Sequence, residues 1–159
     1  NAFYRERPEL WEIDFDWAGF EWLVSDDSRN NVTAFLRRDR EGRDLLCAVN
    51  FSPNALENYR MGVPDHRSYV PAFNTDAPEY GGGGWGDDRP VEVERIPSHG
   101  REQSAAIRIP PFGAVFLRGE GSLPASPPEP GEQDKLPKIP SLSNCAGRLN
   151  PASEKERIL

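Results

Sequence analysis

Little in this chain could build a reactive centre. Its 159 residues include two cysteines, two histidines and one methionine. Cys47 and Cys145 are too few for a disulfide framework. Cys47 sits in the apolar run Leu45-Leu46-Cys47-Ala48-Val49, where a cysteine acts as a small buried hydrophobe. Reduced thiols and a cytoplasmic setting are therefore expected. His66 and His99 have no partner at a zinc-ligand spacing beyond the adjacent Asp65, so neither a metal nor a cofactor is expected. No run of about 18 apolar residues exists, which excludes a membrane-spanning helix. The N-terminus has Arg5 and Arg7 but no apolar segment behind them, so it is not a signal peptide. The net charge of −7 repels phosphate backbones and argues against nucleic acid as a partner. Gly81-Gly82-Gly83-Gly84-Trp85-Gly86 lacks the Lys-Ser/Thr of a phosphate loop, and Asp87-Asp88 follows it.

What is present is punctuated and strand-like. Short aromatic or β-branched runs occur at 20–24, 32–36, 44–51, 58–63, 68–73, 91–96, 104–109 and 114–117, separated by turn residues. Eight such runs predict an all-β fold, an antiparallel β-sandwich. Gly42 is placed to take the left-handed conformation of a short hairpin loop. The run Leu45 to Val49 predicts a central strand buried on both sides. The expected core is Phe35, Leu45, Cys47, Val49, Phe51, Ile107 and Phe116. Residues 1–16 read as a short helical remnant and junction, and 17–118 as the β-domain. Residues 119–159 read as a disordered Pro-rich tail, with seven of the 16 prolines and no aromatic residue. All three lysines, Lys135, Lys138 and Lys155, lie in that tail.

The most specific stretch runs from Asp14 to Asp27, Asp-Phe-Asp-Trp-Ala-Gly-Phe-Glu-Trp-Leu-Val-Ser-Asp-Asp. It resembles the junction between catalytic barrel and C-terminal β-domain in bacterial 1,4-α-glucan branching enzymes of the α-amylase superfamily. Further segments resemble that family in the same order. They are Asn31-Val32 through Asp39, Asn50-Phe51-Ser52-Pro53, Asn74-Thr75-Asp76 with Tyr80-Gly81-Gly82, Ser98-His99-Gly100-Arg101, and Ile109-Pro110-Pro111-Phe112 through Arg118. Trp17 departs from the Pro common there, and Trp85 from the usual loop. The resemblance ends at Arg118. It implies the back end of a longer enzyme, with residues 1–12 belonging to the end of a barrel that is not in this chain. It implies a β-domain that supports that barrel as its partner and meets α-glucan through the parent enzyme.

Retaining chemistry on an α-glucan needs two carboxyl groups about 5 Å apart. The resemblance places them on the barrel, so no catalytic residue is expected here. Asp14/Asp16 and Asp26/Asp27 read as junction and turn carboxylates. Ser98-His99 reads as a turn, with no Gly-x-Ser-x-Gly elbow. Exposed aromatics are the remaining handle, because sugar rings stack their C–H faces on Trp and Tyr. Trp17, Trp22 and Trp85 are the candidate glucan-binding residues, with a weak α-glucan-binding module as the alternative reading. Trp17 and Trp85 are expected to be exposed, and Trp22 to pack.

Overall fold

The computed structural model describes residues 1–122. They contain one short helix, α1 (Ala2–Glu6), and three single 3-10 turns. Eight strands follow: β1 (Phe20–Asp27), β2 (Val32–Arg38), β3 (Asp44–Asn50), β4 (Leu56–Gly62), β5 (Ser68–Asn74), β6 (Val91–Glu94), β7 (Ser104–Ile109) and β8 (Ala114–Glu120). The eight runs read from the sequence are these eight strands. β8 runs two residues past Arg118, and residues 123–159, with most of the expected tail, lie outside the described residues.

All pairings are antiparallel, in the order β1-β2-β3-β8-β5-β6-β7-β4. The first five strands form one layer. β6 turns the corner, with Val91 opposite Tyr69 of β5 and Val93 opposite Ala105 of β7. β7 and β4 complete the second layer. The sheet is nearly closed, and polar contacts bridge the gap between its two edge strands. Tyr59 Oη on β4 donates to Asp27 Oδ2 on β1 at 2.6 Å. Arg101, before β7, pairs with Glu21 on β1.

The core between the layers is Leu23, Val24, Val32, Ala34, Leu36, Leu46, Ala48, Met61, Tyr69, Ile107, Ile109, Val115 and Leu117, together with Tyr59, Val63, Val93 and Ala105. Each fully buried Leu or Ile is worth about 1.5–3 kcal/mol. A bulge at Leu23 lets both Leu23 and Val24 reach this core. The expected core needs correction. Of its seven residues only Ile107 belongs to the inter-layer cluster. Phe35, Leu45, Cys47, Val49 and Phe116 alternate with core residues along β2, β3 and β8, so they share the outer face of the first layer, and Phe51 lies just beyond β3 and is exposed. Leu45 and Cys47 are still fully buried there, so β3 is covered on both faces as expected.

The N-terminal residues supply that cover. Phe3 of α1 stacks on Phe73 at 4.7 Å and meets Phe116 edge-on at 5.5 Å. Gly19 is obligatory for the close path, because a Cβ there would lie 2.0 Å from the Ile13 carbonyl oxygen. The opening segment, expected to belong to the end of a barrel that is not in this chain, lies against the domain's own sheet.

Turn chemistry explains the remaining connections. Gly42 has φ +78, as its hairpin position required. Asp39 accepts from the Glu41 and Arg43 N–H groups at 3.0 and 2.8 Å and holds that loop. His99 and Gly100 both have positive φ, 47 and 74, between the bridged residues Ser98 and Arg101. Two central residues of that kind make a type I′ turn.

Candidate functional site

A single cross-strand row crosses the outer face of the first layer: Trp22, Phe35, Cys47, Phe116 and Phe73 lie opposite one another in turn. Directly opposed aromatic residues stabilise a sheet and leave a flat apolar surface. At the β5 end Phe3 covers the row. At the β1 end the row is open. There Phe20, Trp22 and Phe35 pack mutually with centroids 5.0, 5.4 and 5.9 Å apart, yet Trp22 remains 54% exposed.

Arg37 stands one row away, opposite Phe20 and Leu45. Its Nε donates to Glu9 O at 3.3 Å. Its Nη2 donates to Leu10 O, Ile13 O and Asp14 Oδ1 at 3.2, 3.4 and 2.9 Å. A planar guanidinium can gather several acceptors in this way, and lysine cannot. Glu12 reinforces the clamp by accepting from the Arg40 N–H at 3.0 Å. The clamp holds Trp11, Phe15 and Trp17 out in water; Trp17 is 86% exposed. Phe15 stands between two open clefts of about 390 and 500 Å³, the first of which is shared by Trp17, Phe20 and Arg37.

The candidate tryptophans therefore separate. Trp17 and Trp22 lie either side of Phe20 on this surface. Trp85 is elsewhere and only partly exposed, contrary to expectation: Arg108 lies over its ring at 4.2 Å. The Gly-rich loop that carries Trp85 is tied to Asp76. That carboxylate accepts from the Trp85 N–H at 2.8 Å and the Gly83 N–H at 3.0 Å, which holds its pKa below the usual carboxylate range. Asn74 Nδ2 donates to Trp85 O at 2.8 Å, and a Cβ on Gly82 would strike Asp76 O at 2.1 Å.

Three of the other carboxylates singled out in the sequence are engaged structurally, and Asp26 is exposed. Asp14 pairs with Arg37, and Asp16 accepts from the Ala18 N–H at 2.9 Å. Asp27 accepts from the Asn30 N–H and Nδ2 and from Tyr59. Burial opposes its ionisation, but these bonds hold its pKa below normal. Ser98 Oγ and His99 Nδ1 are 2.8 Å apart, closer than sequence neighbours usually manage, but on an exposed turn. Among the described residues no three His, Cys, Asp or Glu side chains group to hold a metal ion. Cys47 is a free thiol that burial pushes up to about 12. Among the described residues no helix is long and apolar enough to cross a membrane.

One polar network escaped sequence reasoning. His66 Nε2 lies 2.9 Å from Asp44 Oδ2, and Nδ1 lies 3.2 Å from Gly121 O. Arg38 Nε donates to Asp44 Oδ1 at 2.6 Å, and Arg38 also reaches Glu21 at 3.6 Å. With Glu21–Arg101, the chain of charges Arg101-Glu21-Arg38-Asp44-His66 joins β1, β2, β3 and the connections flanking β4 and β7. His66 and Asp44 are 22 residues apart, so no local spacing announced the pair.

The fold defines the class. Residues 22–120 match the α-amylase C-terminal all-β domain family, and the chain belongs to that family. It is 46% identical over 117 residues to the 1,4-α-glucan branching enzyme of Aromatoleum aromaticum, covering 74% of this chain and 18% of that protein. The enzyme of the same name from Rhodococcus jostii is 42% identical over 117 residues, with 74% and 16% covered. That of Rubrobacter xylanophilus is 43% identical over 119 residues, with the same coverage. The chain thus spans under a fifth of the length of these curated relatives.

Proposed function

We propose that this chain is the C-terminal β-domain of a 1,4-α-glucan branching enzyme and that it supports the catalytic barrel without catalysing anything itself. The observation that carries this reading is a sheet with two apolar faces. One face is satisfied by the inter-layer core. The other is left open at Phe20, Trp22 and Phe35, beside the segment from which Trp11, Phe15 and Trp17 project. A surface of that kind fits an apolar partner surface rather than water. Residues 1–16 are then the junction, 17–120 the supporting domain, since β8 ends at Glu120, and the residues beyond it an appended tail. Glycogen is met through the assembled enzyme, in the cytoplasm, where the free thiol of Cys47 stays reduced.

The test mixes this chain with the A. aromaticum enzyme lacking its homologous domain. We expect recovered solubility and recovered α-1,6 branch formation, both lost with Trp22→Glu. The chain alone should match the blank in an iodine-stain assay on amylose. Branching by the chain alone, or no effect of Trp22→Glu on recovery, would refute the reading. A second reading, weak α-glucan binding at the tryptophans, draws its support from the exposure of Trp17 and Trp22; Trp85, under Arg108, has less to offer a sugar.

A further inference from the structure

Phe15 stands wholly in water, at 103% exposure, on a backbone that is fixed from both sides. Before it, Arg37 Nη2 holds the Ile13 carbonyl and the Asp14 carboxylate. After it, Asp16 Oδ1 accepts from the Ala18 N–H at 2.9 Å and starts the turn Trp17–Gly19. A ring held in water adds nothing to the monomer's own core. Against this ring lies the cleft of about 390 Å³, walled by Trp17, Phe20 and Arg37. On its other side the cleft of about 500 Å³ is lined by Glu12, Asp14, Asp16 and Arg40 among others. The surface thus carries an apolar knob and, sharing a wall with it, an apolar hole wide enough for a second ring.

A closed two-fold contact uses one patch twice, so that patch must hold both a knob and the hole that receives it. We propose that this face pairs with a second copy of the chain, each Phe15 entering the Trp17–Phe20–Arg37 cleft of the other copy. The area is sufficient. Trp11, Phe15, Trp17 and Trp22 are 42, 103, 86 and 54% exposed. At about 150–250 Å² for a whole aromatic side chain, they leave roughly 400–700 Å² in water on each copy. Two such patches bury roughly 800–1,400 Å², which reaches the about 1,200 Å² at which specific interfaces begin. The charges also match. Glu12, Asp14 and Asp16 share the second cleft with the exposed Arg40, so each copy brings both signs to the rim. Because the Arg37 clamp and the Asp16 bond fix the knob beforehand, pairing orders little that is not already ordered. The inference rests on the reading of this face as a docking surface and gives it a second occupant, which a barrel would displace.

The experiment is sedimentation velocity on the full chain over a concentration series. It should show a monomer–dimer equilibrium that stops at two copies. Tryptophan emission should shift to shorter wavelength over the same concentrations, as Trp17 and Trp22 leave water. Phe15→Ser removes one ring from each copy; at about tenfold per buried ring, the dissociation constant should rise about a hundredfold. Mixed pairs of Phe15→Ser with the unaltered chain should be weakened only about tenfold, because one of the two symmetric contacts survives. Phe112→Ser removes a ring that is 72% exposed in the β7–β8 turn, and it should leave the dimer unchanged. A melting curve checks that each variant is folded. A monomer at every concentration, growth beyond two copies, or an unchanged dimer in Phe15→Ser would overturn the pairing. Equal losses in Phe15→Ser and Phe112→Ser would overturn it too. A chain that stays monomeric yet recovers branching in the mixing assay overturns this inference and leaves the barrel reading standing. A dimer that recovers nothing does the reverse.

Discussion

His66 donates in two directions, and both partners can only accept. Asp44 is an ionised carboxylate and Gly121 offers a backbone carbonyl, so both ring nitrogens must carry protons for both bonds to exist. The bond to Asp44 is the main reason the His66 pKa is raised, with burial opposing it. Burial would raise the Asp44 pKa, but the bonds from His66 and Arg38 outweigh it and hold the pKa below normal. The signs then follow. His66 has a higher pKa folded than unfolded, so its contribution is complete below the unfolded value near 6.5 and is lost as pH rises through the folded value. Asp44 is the reverse: its contribution is present above its unfolded pKa and is lost as pH falls through the depressed folded value. A charge-assisted bond is worth about 1.5–3 kcal/mol. The His66 side chain is still 20% exposed and Arg38 remains on Asp44, so the lower part of that range applies. His66→Gln should therefore cost roughly 2 kcal/mol at pH 6, or about 8 °C in Tm for a domain of this size. Urea unfolding should be measured at pH 6 and pH 9 for both proteins. The unaltered chain should lose stability between those values, and His66→Gln should lose less than half as much. Equal losses would refute the imidazolium assignment.

Three other outcomes follow from the same contacts. Gly119→Ala would place a Cβ 2.5 Å from the His66 ring, so it should destabilise by about 1–3 kcal/mol and flatten the same pH dependence. Asp76→Ala should release the Gly-rich loop, seen as faster hydrogen exchange at the Gly83 and Trp85 amides with little change in Tm. Ile107→Ala should cost about 2–5 kcal/mol in denaturant unfolding, whereas Phe35→Ala, on the outer face, should cost clearly less.

The strands were legible because turn residues delimit them; which way they face was not. Period-2 alternation decides the buried face only when the other face is polar. In β3 both faces are apolar, and on β2 and β8 the bulkiest residues, Phe35 and Phe116, occupy the outer face beside Thr33, Arg37 and Arg118. The inner face is built from Val32, Ala34, Leu36, Leu46 and Ala48, individually less conspicuous. Reading for bulk therefore selected the wrong side. The site was partly legible for the same reason. Exposure of Trp17 followed from its loop position. The partial shielding of Trp85 depended on Arg108, and the state of His66 on Asp44; both are partners brought in by the tertiary fold rather than by spacing.

The segments that carried the resemblance share one structural character, which bears on what the domain does. Asn50-Phe51-Ser52-Pro53 and Pro110-Pro111-Phe112 are joined through the Asn50 amide and the Ser52 carbonyl. Asn74-Thr75-Asp76 holds the Gly-rich loop, and Thr75 Oγ1 accepts from the Ala114 N–H at 2.8 Å. Ser98-His99-Gly100-Arg101 makes a tight turn and delivers Arg101 to Glu21. Asp14 through Gly19 is gathered by Arg37 and by the close approach to Ile13. In every case the polar side chains satisfy backbone groups or ion-pair partners at strand ends, work that fixes a scaffold. What the segments hold in place is the geometry of loops and the projection of Phe15, Trp17, Trp22, Phe51 and Phe112. The role proposed for that arrangement is docking at the open end of the outer face, where Phe20, Trp22 and Phe35 meet.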